Sequence, residues 1–276
     1  MIRKHLAQDV HAKENLLYMT ESSTISEDDE NTISEIESEA IFLFAAGSDT
    51  LTTCLSSLFH YLSEDSQCYQ ELTQEIRSTF HHQREIRSGP RLARCQYLRA
   101  CLDETLRISP PVPGTLWREQ EAESRADGQP LIIDGHIIPP GTEIGVNTYA
   151  LHHNEEYFPE PFVFKPERWI PECVEYKKNT RSAFVPFSTG VRGCLGRAMA
   201  YQEAQLIVAR ILWHLDLKQA PFNRARMESM RIDGSGKHRG RHNEYPIRDR
   251  FGASHNGPWM VFHPREDQLN EVTEAR

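Results

Sequence analysis

The sequence predicts a mainly α-helical protein with small β hairpins set among the helices, and three observations carry that prediction. A stretch of roughly thirty residues, SEIESEAIFLFAAGSDTLTTCLSSLFHYLSED, runs from Ser34 without a proline. Along it Leu51, Cys54, Leu55, Leu58 and Leu62 keep the three- and four-residue spacing of one helical face. Two further segments, SQCYQELTQEIRSTF and RCQYLRACLDETLRIS, also read as helices, whereas Asp134-Gly135 stands between two apolar runs as a hairpin turn signal.

The elements follow in order. Residues 1–20 suggest a short amphipathic helix with Leu16, Leu17 and Met19 on its apolar side. Residues 21–39 carry eight acidic side chains and several serines, and part of this stretch reads as a solvated loop. Ser34 followed by Glu37 has the spacing of a capping box and opens the long helix. The helix ending in ETLRIS stops before Pro110-Pro111, since proline disfavours helical backbone in the residue before it. PLIIDGHIIPPGTEIGVN then gives two strand-like runs, with a second turn at Pro140-Gly141. FPEPFVFKPERW is too rich in proline for a helix and reads as an ordered, irregular crossing. GRAMAYQEAQLIVARILWHLD is the last clear helix. Residues 224–257 are polar and basic and read as a surface loop, with PWMVFH as a final strand. These elements make a single domain: a leading segment (1–33), a core (34–220), and a polar loop with a terminal strand (221–276).

Composition narrows the function. The chain has 276 residues and a formal net charge of −9, which argues against general nucleic-acid binding. A mean hydropathy of −0.59 indicates a soluble surface. Six cysteines are scattered without a CxxC pair, a pattern that suits a reducing compartment better than a disulfide framework. No secretory signal and no run of eighteen apolar residues is visible, and AIFLFAAG is too short to span a bilayer.

FSTGVRGCLG, residues 187–196, places Cys194 among Gly190, Gly193 and Gly196 where a loop becomes a helix. Backbone N–H groups and the helix dipole at that place favour a thiolate. With glycines allowing a flat group to approach, such a thiolate suits haem iron. Zinc would need ligands at short spacing, yet the nearest cysteine is Cys173 and the nearest histidine His214. The glycine spacing is GxxGxxG, and Pro186 precedes it, so a dinucleotide loop does not fit. A buried structural cysteine is the ordinary alternative.

Three further motifs are weaker singly. Glu104 and Arg107, in ETLR, lie three apart on one helical face, and Arg168 in KPERW could complete a buried network with them. AAGSDT, residues 45–50, sets Gly47, Asp49 and Thr50 inside the long helix. It is either a kink packed on a neighbour or a widened groove in which a carboxylate and a hydroxyl relay protons. Arg118 and Arg192 could be surface residues, or could hold carboxylates such as the two propionates of haem.

The four motifs, in this order, resemble the cytochrome P450 superfamily of haem-thiolate monooxygenases. FSTGVRGCLG matches that family's cysteine loop at Phe187, Gly190, Arg192, Cys194 and Gly196; ETLR matches its ExxR helix, KPERW its meander arginine, and AAGSDT its oxygen-activating helix. The resemblance implies haem (iron protoporphyrin IX) as cofactor, with Cys194 as axial ligand, Phe187 shielding the sulfur, and Arg192 and Arg118 as propionate partners. It implies Asp49 and Thr50 as an acid–alcohol pair delivering protons, Ala46 and Gly47 beside the haem, and Glu104, Arg107 and Arg168 as a structural triad.

The activity so implied is insertion of one oxygen atom from O2 into a lipophilic organic substrate. An NADPH-dependent cytochrome P450 reductase or similar donor would supply electrons. The motif wording looks most like fungal members acting in secondary metabolism, and a full-length relative would sit at the endoplasmic reticulum membrane. The resemblance covers residues 14–220 well and corresponds to the C-terminal part of the family's chain, with no anchor, early helices or substrate-recognition loops. Two alternatives therefore stand: a truncated, inactive remnant or incomplete gene model that binds haem poorly, and an O2-independent haem-thiolate isomerase or dehydratase. Thr50 counts against the second, because such enzymes tend to lose that alcohol.

Overall fold

A computed structural model describes residues 30–119, 130–170, 178–232, 240–241 and 243–265. They fall in two compact units, Met1–Asp49 and Thr50–Arg276. The leading helix expected over 1–20 lies outside the described residues, as does Cys173.

Helix α1, Glu30–Glu64, begins four residues before Ser34, because residues 30–33 contain neither proline nor glycine to stop it. Within the first unit it exposes Ile41, Phe42 and Phe44. In the second unit it becomes a core helix, with Leu58 and Leu62 almost wholly buried. By length and composition alone, the stretch Glu37–Glu64 is long and apolar enough to cross a bilayer. Two of its buried hydroxyls bond within the protein: Thr53 donates to the Ala253 carbonyl at 3.2 Å and Ser57 to the Thr53 carbonyl at 2.8 Å.

Helix α2, Ser66–Thr79, is N-capped by Asp65, whose carboxylate accepts the Gln67 and Cys68 N–H groups at 3.0 Å each. A one-turn helix α3, Pro90–Ala93, leads into α4, Gln96–Ile108. Helix α4 lacks a side-chain cap of its own. Glu75 of α2 takes that part by accepting the Tyr97 and Leu98 N–H groups at 2.8 Å each, which satisfies two donors that a helix start leaves open. Later come α5, Thr148–His152, α6, Lys178–Ala183, and α7, Arg197–His214. At the end of α7, Arg77 donates to the carbonyls of Leu212 (3.0 Å) and Leu215 (3.2 Å) and pairs with Asp216 at 2.7 Å.

One apolar cluster joins these helices: Leu58 and Leu62, Leu72 and Ile76, Leu98 and Leu102, Val208 and Leu212. Each such side chain contributes about 1.5–3 kcal/mol by leaving water.

Among the described residues the strands form four separate antiparallel pairs. β1, Thr115–Glu119, pairs with β4, Glu143–Asn147, setting Arg118 opposite Ile144. β2, Leu131–Ile133, and β3, His136–Ile138, make the hairpin expected at Asp134-Gly135. Both turn residues have positive φ, 49° and 78°, as a two-residue hairpin with right-handed strand twist requires. β5, Leu215–Gln219, pairs with β8, Met260–Pro264, so the expected final strand is present.

The polar stretch 224–257 is not simply a loop. It holds most of helix α8, Asn223–Arg231, and the hairpin of β6, Arg248–Arg250, and β7, Gly252–Ser254. Met227 and Tyr245 are buried there and pack with Tyr61 and Ile108. Two apolar side chains that anchor the segment are hidden among charged neighbours, so composition alone mistakes it for a loop.

Candidate functional site

Glu104 is fully buried on α4 and is the centre of a polar knot. Arg107, one helical turn on, donates to both its oxygens at 2.9 and 2.8 Å. Arg168, in the one-turn 3-10 helix Pro166–Trp169, donates its Nε at 3.0 Å. The sequence did not signal two further donors, the Lys165 backbone N–H at 3.0 Å and Trp169 Nε1 at 2.9 Å. The remaining guanidinium hydrogens go to main-chain carbonyls. Arg107 reaches His152 (2.9 Å), Pro161 (2.7 Å) and Val163 (3.3 Å), and Arg168 reaches Pro159 (3.1 Å). Burial works to raise the Glu104 pKa, but Arg107 and Arg168 outweigh it and hold the carboxyl below its ordinary value. The structure thus brings Glu104, Arg107 and Arg168 together, and they fasten the irregular crossing to α4.

From that crossing the chain proceeds to the cysteine loop. His152 Nε2 accepts the Val185 N–H at 3.0 Å, just before the loop. The Phe187 carbonyl accepts the Cys194 N–H at 2.8 Å and closes it. Between them Gly190 takes a φ of +66°, a left-handed conformation open to glycine at little cost. Gly193 is needed for space, since a Cβ there would lie 3.1 Å from the Gly190 carbonyl oxygen. Gly196 is the N-cap of α7 with ordinary φ of −81°, and a Cβ on it would sit 3.9 Å from the Cys194 sulfur.

Cys194 is exposed, whereas Cys54, Cys68, Cys95 and Cys101 are buried. Burial raises the pKa of those four thiols, to about 12 for Cys54 and Cys68 and about 11 for Cys95. Val191, Leu195 and Met199, close to Cys194 in the sequence, are all exposed. An open thiol with uncovered apolar neighbours can bind a planar apolar group that carries a metal. Among the described residues no three His, Cys, Asp or Glu side chains gather to hold a metal ion by themselves.

The other expected positions lie elsewhere. Arg192 ends the 3-10 turn Gly190–Arg192 and is exposed. Arg118 is exposed on β1, donating to the Trp117 carbonyl at 2.7 Å. Ala46, Gly47, Asp49 and Thr50 all lie on α1. A Cβ built on Gly47 would meet nothing within 4 Å. The back-bond in this stretch is made by Ser48, whose hydroxyl donates to the Phe44 carbonyl at 2.7 Å.

A helical chain that fastens an open cysteine loop beside a buried glutamate–arginine knot has a counterpart among known proteins. The family model for cytochrome P450 matches residues 2–240. The chain belongs to the cytochrome P450 family. It is 40% identical over 204 residues to cytochrome P450 monooxygenase poxM of Penicillium oxalicum, a match covering 74% of this chain and 38% of that protein. It is 33% identical over 268 residues to cytochrome P450 monooxygenase lcsN of Purpureocillium lilacinum, covering 96% and 75% respectively. A third relative, cytochrome P450 monooxygenase apf8 of Gibberella fujikuroi, is 39% identical over 236 residues, covering 84% of this chain and 61% of that protein. The chain therefore spans between 38% and 75% of the length of these relatives.

Proposed function

We propose that this chain acts as a haem-thiolate monooxygenase, inserting one oxygen atom from O2 into a lipophilic organic substrate in fungal secondary metabolism. The observation that carries the reading is the contrast between Cys194 and the other described cysteines. Four thiols are buried, and the one in the glycine loop is exposed among uncovered apolar side chains. The relatives support it by name, each being a cytochrome P450 monooxygenase.

The residues fit haem in kind. Cys194 supplies a thiolate, the loop glycines leave its backbone open, and Arg192 and Arg118 offer guanidinium groups for propionates. When bound, the haem supplies reductive activation of O2, with one oxygen passing to carbon and the other leaving as water. Cys194 would hold the haem iron and donate electron density to it through sulfur. Phe187 keeps water from one side of that sulfur. Asp49 takes protons from solvent and Thr50 passes them on through its hydroxyl. Ala46 and Gly47 keep a stretch of α1 free of bulk, so that a flat group can lie on it. Electrons come from an NADPH-dependent reductase or similar donor, and the membrane of the endoplasmic reticulum is the proposed setting.

The test is the absorption spectrum of the purified protein, reduced and exposed to carbon monoxide after haem loading. A thiolate-ligated Soret band that vanishes in Cys194→Ala is expected. A chain that binds haem poorly, the alternative kept from the sequence, would show no such band.

A further inference from the structure

Tyr201 lies on the first turns of α7, is buried, and has no part in the family motifs described above. Its hydroxyl donates to Asp103 Oδ1 at 2.5 Å. The Arg99 guanidinium lies over its ring, 3.5 Å from the centroid. Arg99 also donates its Nε to Asp103 Oδ2 at 3.0 Å, so the three side chains close on one another. Asp103 and Arg99 both belong to α4, the helix that carries Glu104. The Tyr201 ring also meets Phe187, with ring centroids 5.1 Å apart at 50°. Phe187 in turn accepts the Cys194 N–H.

We propose that Tyr201 is a positioning residue for the Cys194 thiolate, clamped by Asp103 and Arg99 and acting through Phe187. This rests on the reading of Cys194 as the haem ligand. The physical case is that the cysteine loop has few other anchors. Ser188 and Gly190 take positive φ, and Thr189 to Leu195 are exposed. A loop with so little burial opens readily unless something fixes its ends. His152 fixes the approach at Val185, and α7 fixes the exit. Phe187 lies between, and its ring is held by Tyr201 on one side with the Arg197 guanidinium 5.8 Å from its centroid. Burial pushes the Asp103 pKa up, and Arg99 and the Tyr201 hydroxyl oppose that; an acceptor so enclosed leaves the phenol few other places to bond.

The test uses the full chain and two variants. Tyr201→Phe keeps the ring and removes the hydroxyl; Asp103→Asn keeps an oxygen that can accept from it. Amide hydrogen exchange is followed at Cys194 and, as an internal reference, along α2. Tyr201→Phe is expected to speed exchange at the Cys194 amide about tenfold, the effect of losing one hydrogen bond to a charged acceptor. Exchange in α2 should stay unchanged, and Asp103→Asn should restrict the acceleration to well below that of Tyr201→Phe. Unchanged exchange at Cys194, or acceleration spread equally through α2, would overturn the proposal. In the haem-loaded protein Tyr201→Phe should also lower the share of the thiolate-ligated band on reduction with carbon monoxide. A normal share in a variant whose Cys194 amide exchanges faster would overturn the link to the thiolate. Failure of the wild-type chain to give the band at all would strike the ligand reading itself, while the exchange result still decides whether Tyr201 holds the loop.

Discussion

Trp169 Nε1 donates to Glu104 Oε2 at 2.9 Å, giving the buried carboxylate a donor beyond its two arginines and the Lys165 backbone. The indole fills a direction that neither guanidinium covers, and the carboxylate is wholly enclosed. Removing this bond alone, with Trp169→Phe, should cost about 1.5–3 kcal/mol, the usual range for a bond to a charged group. Glu104→Gln should cost more, about 3–5 kcal/mol, because two buried cations lose their counter-charge. Urea unfolding midpoints at neutral pH measure both, and equal costs for the two variants would contradict the account.

Acid should weaken the fold from about pH 6.5 downward, in part through three buried histidines. Burial is the main cause that lowers the pKa of His60 from 6.5 to about 4, of His152 to about 3 and of His153 to about 4. These rings are neutral in the folded chain and take protons more readily when unfolded. The stability they allow is fully present above pH 6.5, is lost as pH falls from there towards about 4, and falls no further for His60 and His153 below that. His60→Phe, which removes one such group, should flatten the decline between pH 6.5 and 4 in urea titrations.

A bulky maleimide added to the native chain should modify Cys194 before the four buried cysteines among the described residues. Cys54, Cys68, Cys95 and Cys101 are buried with raised pKa values and should stay unmodified until urea unfolds the chain. Haem loading should then protect Cys194. Peptide mapping by mass spectrometry reads each site, and modification of Cys194 at the same rate with and without haem would speak against ligation.

Gly190 and Gly47 should respond in opposite directions to alanine. Gly190 sits at φ +66°, so Gly190→Ala should destabilise the chain by about 1–2 kcal/mol. Gly47 lies mid-helix with open space where a Cβ would go, so Gly47→Ala should stabilise α1 by about 0.5–1 kcal/mol. If the bare backbone at Gly47 serves haem, the same variant should hold less haem per chain. Thermal melts and a haem assay on one preparation check both halves.

The helices were legible where apolar spacing repeats, as in Leu51, Leu55, Leu58 and Leu62, and the β2–β3 hairpin was legible from one dipeptide. The short strands β1 and β5 were not, because TLWRE and LDLKQ are too brief to show a period and are fixed only by distant partners, β4 and β8. Helix α8 was hidden for another reason: its helical face is mostly charged, and Met227 alone anchors it to the apolar cluster. At the site, Glu104, Arg107 and Arg168 could be named only because ETLR and KPERW match the family's motifs in order, since a glutamate–arginine pair three apart is common on helix surfaces. Trp169 and Tyr201 gave no such sign, since a tryptophan or tyrosine reads as packing until its polar tip is seen to have a partner.

Arg107 and Arg168 spend most of their hydrogens on carbonyls of residues 152, 159, 161 and 163. Main-chain oxygens look alike whatever side chain they carry, so this grip is indifferent to the identity of the residues it holds. The exposed positions of this segment, Asn154, Glu155 and Glu156, are therefore free to drift in sequence, tuning the outer surface to new neighbours, while the buried His152 and Phe158 stay and the path over the helix is kept.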